Sequence, residues 1–228
     1  MLFDTNGPVL VLAAHPDDEV LGCGGTLARL STDGIEVTVA FLTDGVGARV
    51  ASEEDARSRW QAATAASNIL GYSVYPSWSE RVVPDNEADT VSRLSLAKAA
   101  ESLIESIKPT VVLTHSLSDL NVDHRRAHEA VLLACRPRVG QTVREVFAFE
   151  VPSSTEWSAR PGSFAPTFYV DIDPTLSVKC DALACYAVES PEFPHPRSEV
   201  AVVALARWRG SNAGFHAAEA FEVVRCLR

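Results

Sequence analysis

The chain of 228 residues, 46% of them apolar, is long enough to bury one substantial core and reads as a single domain over residues 1–228. Its 20 basic against 30 acidic residues leave a formal charge of -10 at pH 7, the wrong sign for a nucleic-acid footprint, so no nucleic-acid partner is expected. No apolar run approaches the roughly 20 residues that span a bilayer, and no basic segment precedes the apolar stretch of MLFDTNGPVLVL, so a cytoplasmic protein without a transmembrane segment is expected.

PVLVLAAH (8–15) is a short continuous apolar run, the pattern of a buried strand. EVLGCGGTLARLSTDG (19–34) carries Val20, Leu21, Leu27 and Leu30 at helical spacing, with Gly34 as a stop, and EVTVAFLTDG (36–45) is a second strand. Strand, helix, strand is the unit that builds parallel sheets. The alternation continues with helices at 53–71 and 92–108, a strand at 110–115, a helix at 124–136 and strands at 144–151 and 167–172. Helical patterns at 174–188 and 198–210 precede a last strand at 220–227. The fold class is α/β, a three-layer Rossmann-like sandwich around a mostly parallel sheet. The cysteines, Cys23, Cys135, Cys180, Cys185 and Cys226, show no C-x-x-C spacing and are read as mostly buried apolar residues, not a disulfide framework.

In such sheets ligands gather at the carboxyl ends of the strands. Three polar stretches fall there: HPDDE after the first strand, TDG (43–45) after the second, and HSLSDLNVDHRRAH after the strand at 110–115. His15 and Asp18 stand three apart across Pro16, the right reach for an imidazole and a carboxylate to meet one zinc ion. A third donor must come from Asp119, Asp123, His124 or His128; three protein ligands leave one position for water, the mark of a catalytic site. Neighbouring residues in a turn point apart, so Asp17 is free to face that water and take its proton. The glycines of LGCGGT do not match G-x-G-x-x-G and follow an acidic loop; Gly22, Gly24 and Gly25 are read as permitting close helix packing on the sheet.

AHPDDEVLGCGGTLARL (14–30) resembles, almost letter for letter, the signature of the LmbE-like or PIG-L family of zinc-dependent N-deacetylases. FLTDG, DLNVDHRRAHEAV and AEAFEVVR are also similar to family segments. The resemblance implies His15, Asp18 and His124 as metal ligands, Asp17 as general base, and an N-acetylated amino sugar or glycoconjugate as the small-molecule substrate. Zinc is the implied cofactor, although the same N/O donors accept iron(II) or cobalt(II). His128 is then read as a packing or hydrogen-bonding residue. Many family members carry His-Pro-Asp-His where this chain has Asn121, Val122, Asp123 and His124, and the first histidine of that motif is thought to stabilise the oxyanion. Asn121 can donate a hydrogen bond but no charge; His115, His195 and His216 are the other candidates for the role.

Arg59 corresponds to a family arginine that contacts substrate, with Arg49 and Arg57 as alternatives, while Asp44 is a candidate partner for a sugar hydroxyl. SSTEW (153–157) and PHPRS (194–198), the latter with His195, are expected to shape the substrate rim. Two other readings stand beside the deacetylase: a hydrolase of another small amide, such as an antibiotic or thiol precursor, and a non-catalytic Rossmann-like ligand-binding module. A homo-oligomer is compatible with all three.

Overall fold

A computed structural model describes residues 3, 7–43, 53–75, 83, 85–158, 162–186 and 191–228. In chain order the elements are β1 (Val9–Ala13), α1 (Asp18–Thr32), β2 (Val37–Phe41), α2 (Glu53–Leu70), β3 (Ser73–Tyr75), α3 (Arg93–Ile107), β4 (Val111–His115) and α4 (Val122–Ala134). They continue with β5 (Glu145–Phe149), β6 (Phe168–Asp171), α5 (Leu176–Ala184), α6 (Glu199–Ala213) and β7 (Ala218–Cys226). Among the described residues seven strands form one sheet in the order β3-β2-β1-β4-β5-β7-β6. The first five run parallel, and only β7 runs against its two neighbours.

Strand periodicity divides the core into two layers. Val9, Val11 and Ala13 of β1 enter the cluster built with α1, α2, α5 and α6, whereas Leu10 and Leu12 enter the cluster under α3 and α4. Both faces of β1 are therefore buried, which is why its sequence is a continuous apolar run instead of an alternation. β1 connects through α1 to β2 on one side, while its other neighbour is β4. The chain thus reverses its winding between β1 and β4, and the crevice at their carboxyl ends is where a doubly wound sheet takes its ligand.

The sequence expectations hold for the parallel strands, with two differences. β3 has only three residues, none buried, on the sheet edge, so it leaves no apolar run to detect. Cys23 and Cys135 are buried, but Cys180 and Cys185 are half-buried and Cys226 is exposed, so the cysteines are less internal than expected; none is disulfide-bonded. Among the described residues no helix is long and apolar enough to cross a membrane.

Helix α1 carries the first polar loop into the structure, and two features fix it on the sheet. A Cβ on Gly22 would lie 2.3 Å from the Phe149 ring, and one on Gly25 would lie 2.8 Å from Ile172. Those glycines therefore let α1 approach more closely than any side chain would permit. From the far end of the chain, Glu219 on β7 accepts the Gly25 amide at 2.9 Å, the Thr26 amide at 2.7 Å and the Thr26 hydroxyl at 2.6 Å. Lys179 on α5 closes the network, donating to Glu219 at 2.6 Å and to the Leu21 carbonyl at 2.9 Å. Each member of this buried ion pair is also hydrogen-bonded to helix α1, the kind of support under which such a pair is tolerated in a core.

Gly22→Ala must push the Phe149 ring or the helix outward. It is expected to cost about 1–3 kcal/mol and to lower the melting temperature by roughly 2–10 °C, read by thermal unfolding followed by circular dichroism.

Candidate metal centre

The crevice between β1 and β4 is lined from both sides. His15 lies two residues past the end of β1, and its backbone amide donates to Asp18 Oδ2 at 2.9 Å, closing a tight loop. Asp17 holds φ at +119°, in the left-handed region that a side chain seldom adopts. That twist turns Asp17 away from Asp18 while α1 begins. On the other wall Asn121 caps α4, its Oδ1 accepting the amides of Asp123 at 2.8 Å and His124 at 3.4 Å. The cap starts the helix so that His124 stands in its first turn.

His15, Asp18 and His124 meet. Asp18 Oδ2 lies 3.1 Å from His15 Nδ1 and 3.2 Å from His124 Nε2, and the two nitrogens are 3.3 Å apart. Donors held about 2.0–2.1 Å from a tetrahedral zinc ion sit roughly 3.3 Å from one another, so the triangle has the right edge for one cation. Asp18 Oδ1 is buried and has no hydrogen-bond partner among the described residues, a costly arrangement unless a ligand completes it. The donor set therefore fits the implied metal. Burial alone would raise the Asp18 carboxyl, but the charges of His124, His15 and His115 hold it well below the usual range. Burial opposes charge on His124 also, yet Asp18 and Asp119 lift it to about 9.

The far nitrogen of each histidine is met by a carboxylate. His15 Nε2 lies 3.1 Å from Asp123 Oδ2 and 2.9 Å from Asp85 Oδ1. Asp123 is itself fixed by the amides of Asn86 at 2.6 Å and Ala88 at 3.0 Å. His124 Nδ1 lies 3.1 Å from Asp119 Oδ2, and that oxygen accepts the Thr155 hydroxyl at 2.6 Å. Asp119 Oδ1 takes the Ser154 hydroxyl and, at 2.8 Å, the Asn121 amide. Burial would raise Asp119, but its contact with His124 and these hydroxyls bring it down to about 2. Carboxylates placed behind ligand histidines orient the rings and raise their basicity. His15, Asp85 and Asp123 also lie close enough together to be weighed as a cation cluster. The amides already bonded to Asp123 favour the orienting role.

Asp17 is buried beside the triangle. Its Oδ2 accepts from Arg59 on α2 and from Arg197 in the α5–α6 connection, each at 3.0 Å, while its buried Oδ1 has no partner among the described residues. Burial and then the Asp18 charge raise its proton affinity against the two arginines, to a pKa of about 6. The third acid, Glu19, does different work. Its Oε2 accepts the Asp17 amide at 3.0 Å, and its Oε1 accepts the hydroxyls of Tyr72 at 2.7 Å and Tyr186 at 3.0 Å. Three adjacent acids are thus tolerated because they face three environments: histidines, arginines and tyrosines.

The other residues singled out from sequence fall as follows. Arg59 contacts Asp17 and also donates from Nε to the Pro16 carbonyl at 3.1 Å, while Arg57 is exposed. Asp44 and Arg49 lie outside the described residues. His128 donates from Nδ1 to the His115 carbonyl at 2.8 Å. His115 is wholly buried, stacked 3.9 Å from the His124 ring, and accepts the Ala14 amide at 2.8 Å. His195 accepts the Arg197 amide at 3.1 Å, and His216 is exposed before β7. Sequence reasoning missed Arg197, Asp85 and the part played by Asp119. The only signal for Arg197 was its place in PHPRS, 180 residues from its partner.

Residues 10–135 match the family model described as PIG-L, GlcNAc-PI de-N-acetylase. The chain is 29% identical over 187 residues to the uncharacterized deacetylase YaiS of Escherichia coli K12, covering 77% of this chain and 88% of that protein. It is 26% identical over 227 residues to the diacetylchitobiose deacetylase of Thermococcus kodakarensis, covering 95% and 82%. Among solved structures it is similar to GalB, the 4-carboxy-2-hydroxymuconate hydratase of Pseudomonas putida KT2440. The TM-score is 0.75 at 23% identity, covering 96% of each chain.

If Asp119 orients His124, Asp119→Ala should weaken zinc binding about 10- to 100-fold, and His124→Ala should abolish tight binding. Competition with a chromophoric chelator measures both.

Proposed function

The chain belongs to the PIG-L, or GlcNAc-PI de-N-acetylase, family, and from that premise we propose that it hydrolyses the acetamide of an N-acetylated amino sugar or glycoconjugate with zinc as its cation. The observation that carries this reading is the His15, Asp18 and His124 triangle with the unpartnered Asp17 Oδ1 beside it. A bound cation would polarise the amide carbonyl and lower the pKa of its water towards about 7. His15, Asp18 and His124 would hold it, with Asp123, Asp85 and Asp119 fixing the imidazoles from behind.

The chain's own groups account for the proton. Arg59 and Arg197 both hold Asp17 Oδ2, leaving the buried Oδ1 as the oxygen with no hydrogen bond among the described residues. Oδ1 takes the proton as the water oxygen bonds to the acyl carbon and the carbonyl electron pair moves onto its oxygen. When that pair returns, the carbon–nitrogen bond breaks and the Asp17 proton passes to the departing nitrogen. The products are acetate and a free amine. The diacetylchitobiose deacetylase to which the chain is similar points to an acetamido sugar as the first substrate to try.

The fold does not decide between this reaction and hydration, since the GalB likeness is a likeness of fold alone. The test is direct: zinc-loaded protein is incubated with N-acetylglucosamine and diacetylchitobiose and assayed for free amine. Amine release abolished by chelation and restored by zinc is the expected result, and no release from any acetamido sugar overturns the proposal. Asp17→Asn should retain close to stoichiometric metal while turnover falls about 100-fold or more, measured by metal analysis beside the same assay.

A further inference from the structure

Amide hydrolysis places negative charge on the acyl oxygen, and a preorganised donor aimed at that oxygen is among the largest contributions a site makes. The acyl carbon attacked by a water in contact with Asp17 brings its oxygen within about 5 Å of that carboxylate. The donor must therefore be sought among groups already close to Asp17.

Asn121 carries only an uncharged donor. Its carbonyl end caps α4, and its Nδ2 lies 3.3 Å from Asn86 Oδ1. His115 is buried and stacked beneath His124, with Nε2 occupied by the Ala14 amide. Arg59 reaches the loop from α2, bonded to the Pro16 carbonyl and to Asp17, with a side chain only 10% exposed.

Arg197 differs from these in access. It enters from the α5–α6 connection with a side chain 24% exposed, and its Nη1 lies 3.0 Å from Asp17 Oδ2. Its Nε donates to Ser153 Oγ at 2.6 Å, which fixes the plane of the guanidinium. These two contacts use two of the five N–H groups that an arginine carries. Ser153 holds φ at +71°, a left-handed conformation that a residue with a side chain seldom adopts. The next two residues, Ser154 and Thr155, hold Asp119 behind His124. One short loop thus braces both a candidate ligand histidine and the Arg197 side chain, so a cation is fixed at the mouth of the crevice beside the base.

We propose that Arg197 is the cationic donor to the developing oxyanion, a charged group supplied from the α5–α6 connection where the α4 cap offers only an amide. The assignment rests on the deacetylase reading. Arg197 also touches Asp17, so the test must separate charge donation from holding the base in place.

Wild type, Arg197→Ala and Arg197→Lys, each zinc-loaded, are assayed on diacetylchitobiose with metal content measured in parallel. A second readout is the affinity for a methylphosphonamidate of glucosamine, a tetrahedral mimic, compared between Asp17→Asn and Asp17→Asn/Arg197→Ala. The base is removed from both members of that pair. Expected are undiminished metal, a loss of about 100-fold or more in Arg197→Ala borne by kcat, and partial recovery with lysine. The mimic should bind at least about 30-fold more weakly once Arg197 is gone. Activity of Arg197→Ala within about threefold of wild type, or equal affinity of the paired variants for the mimic, overturns the assignment and leaves the deacetylase reading standing. No amine from wild type overturns both.

Discussion

One buried oxygen, Asp18 Oδ2, organises the centre of this protein. It receives the His15 amide and lies within 3.1–3.2 Å of two imidazoles brought by different strands. A carboxylate with no exposed surface is stable only when its charge is answered on several sides. Both walls of the crevice are built around that need. β1 delivers His15, β4 leads to the cap that sets His124, and a second tier of carboxylates answers the imidazoles in turn.

The neighbouring acids follow the same logic with other partners. Asp17 is turned out by a left-handed backbone and met by arginines from α2 and from the α5–α6 connection. Glu19 faces inward to two tyrosine hydroxyls, and burial moves its carboxyl up to about 7. Consecutive residues of a single loop thereby obtain separate chemistry from the direction in which each side chain leaves the chain. The likeness in fold to a hydratase fits this picture, because an unchanged frame can carry different chemistry through a few rim residues.

What could be read from sequence was what local pattern determines. The parallel strands announce themselves because both faces of β1, β2 and β4 are buried, and the ends of β1 and β4 meet because the winding reverses between them. That brought His15 and Asp18 opposite the 119–128 segment, although spacing alone left four residues open for the third donor. Arg197 and Asp85 were not legible, because each acts through a contact made across the fold from an irregular connection with no period to betray it. Asn121 shows a further limit: its side-chain oxygen caps α4, a contact that depends on where that helix begins.

The Glu219 anchor has a consequence for how the chain acquires its shape during synthesis. The amide of Gly25 and the carboxylate that secures it are 194 residues apart. At ~5–20 residues per second, α1 emerges on the order of 10–40 s before β7 does. Until then the helix bearing the acidic loop lacks its inner brace, so one of the first segments made is secured by one of the last.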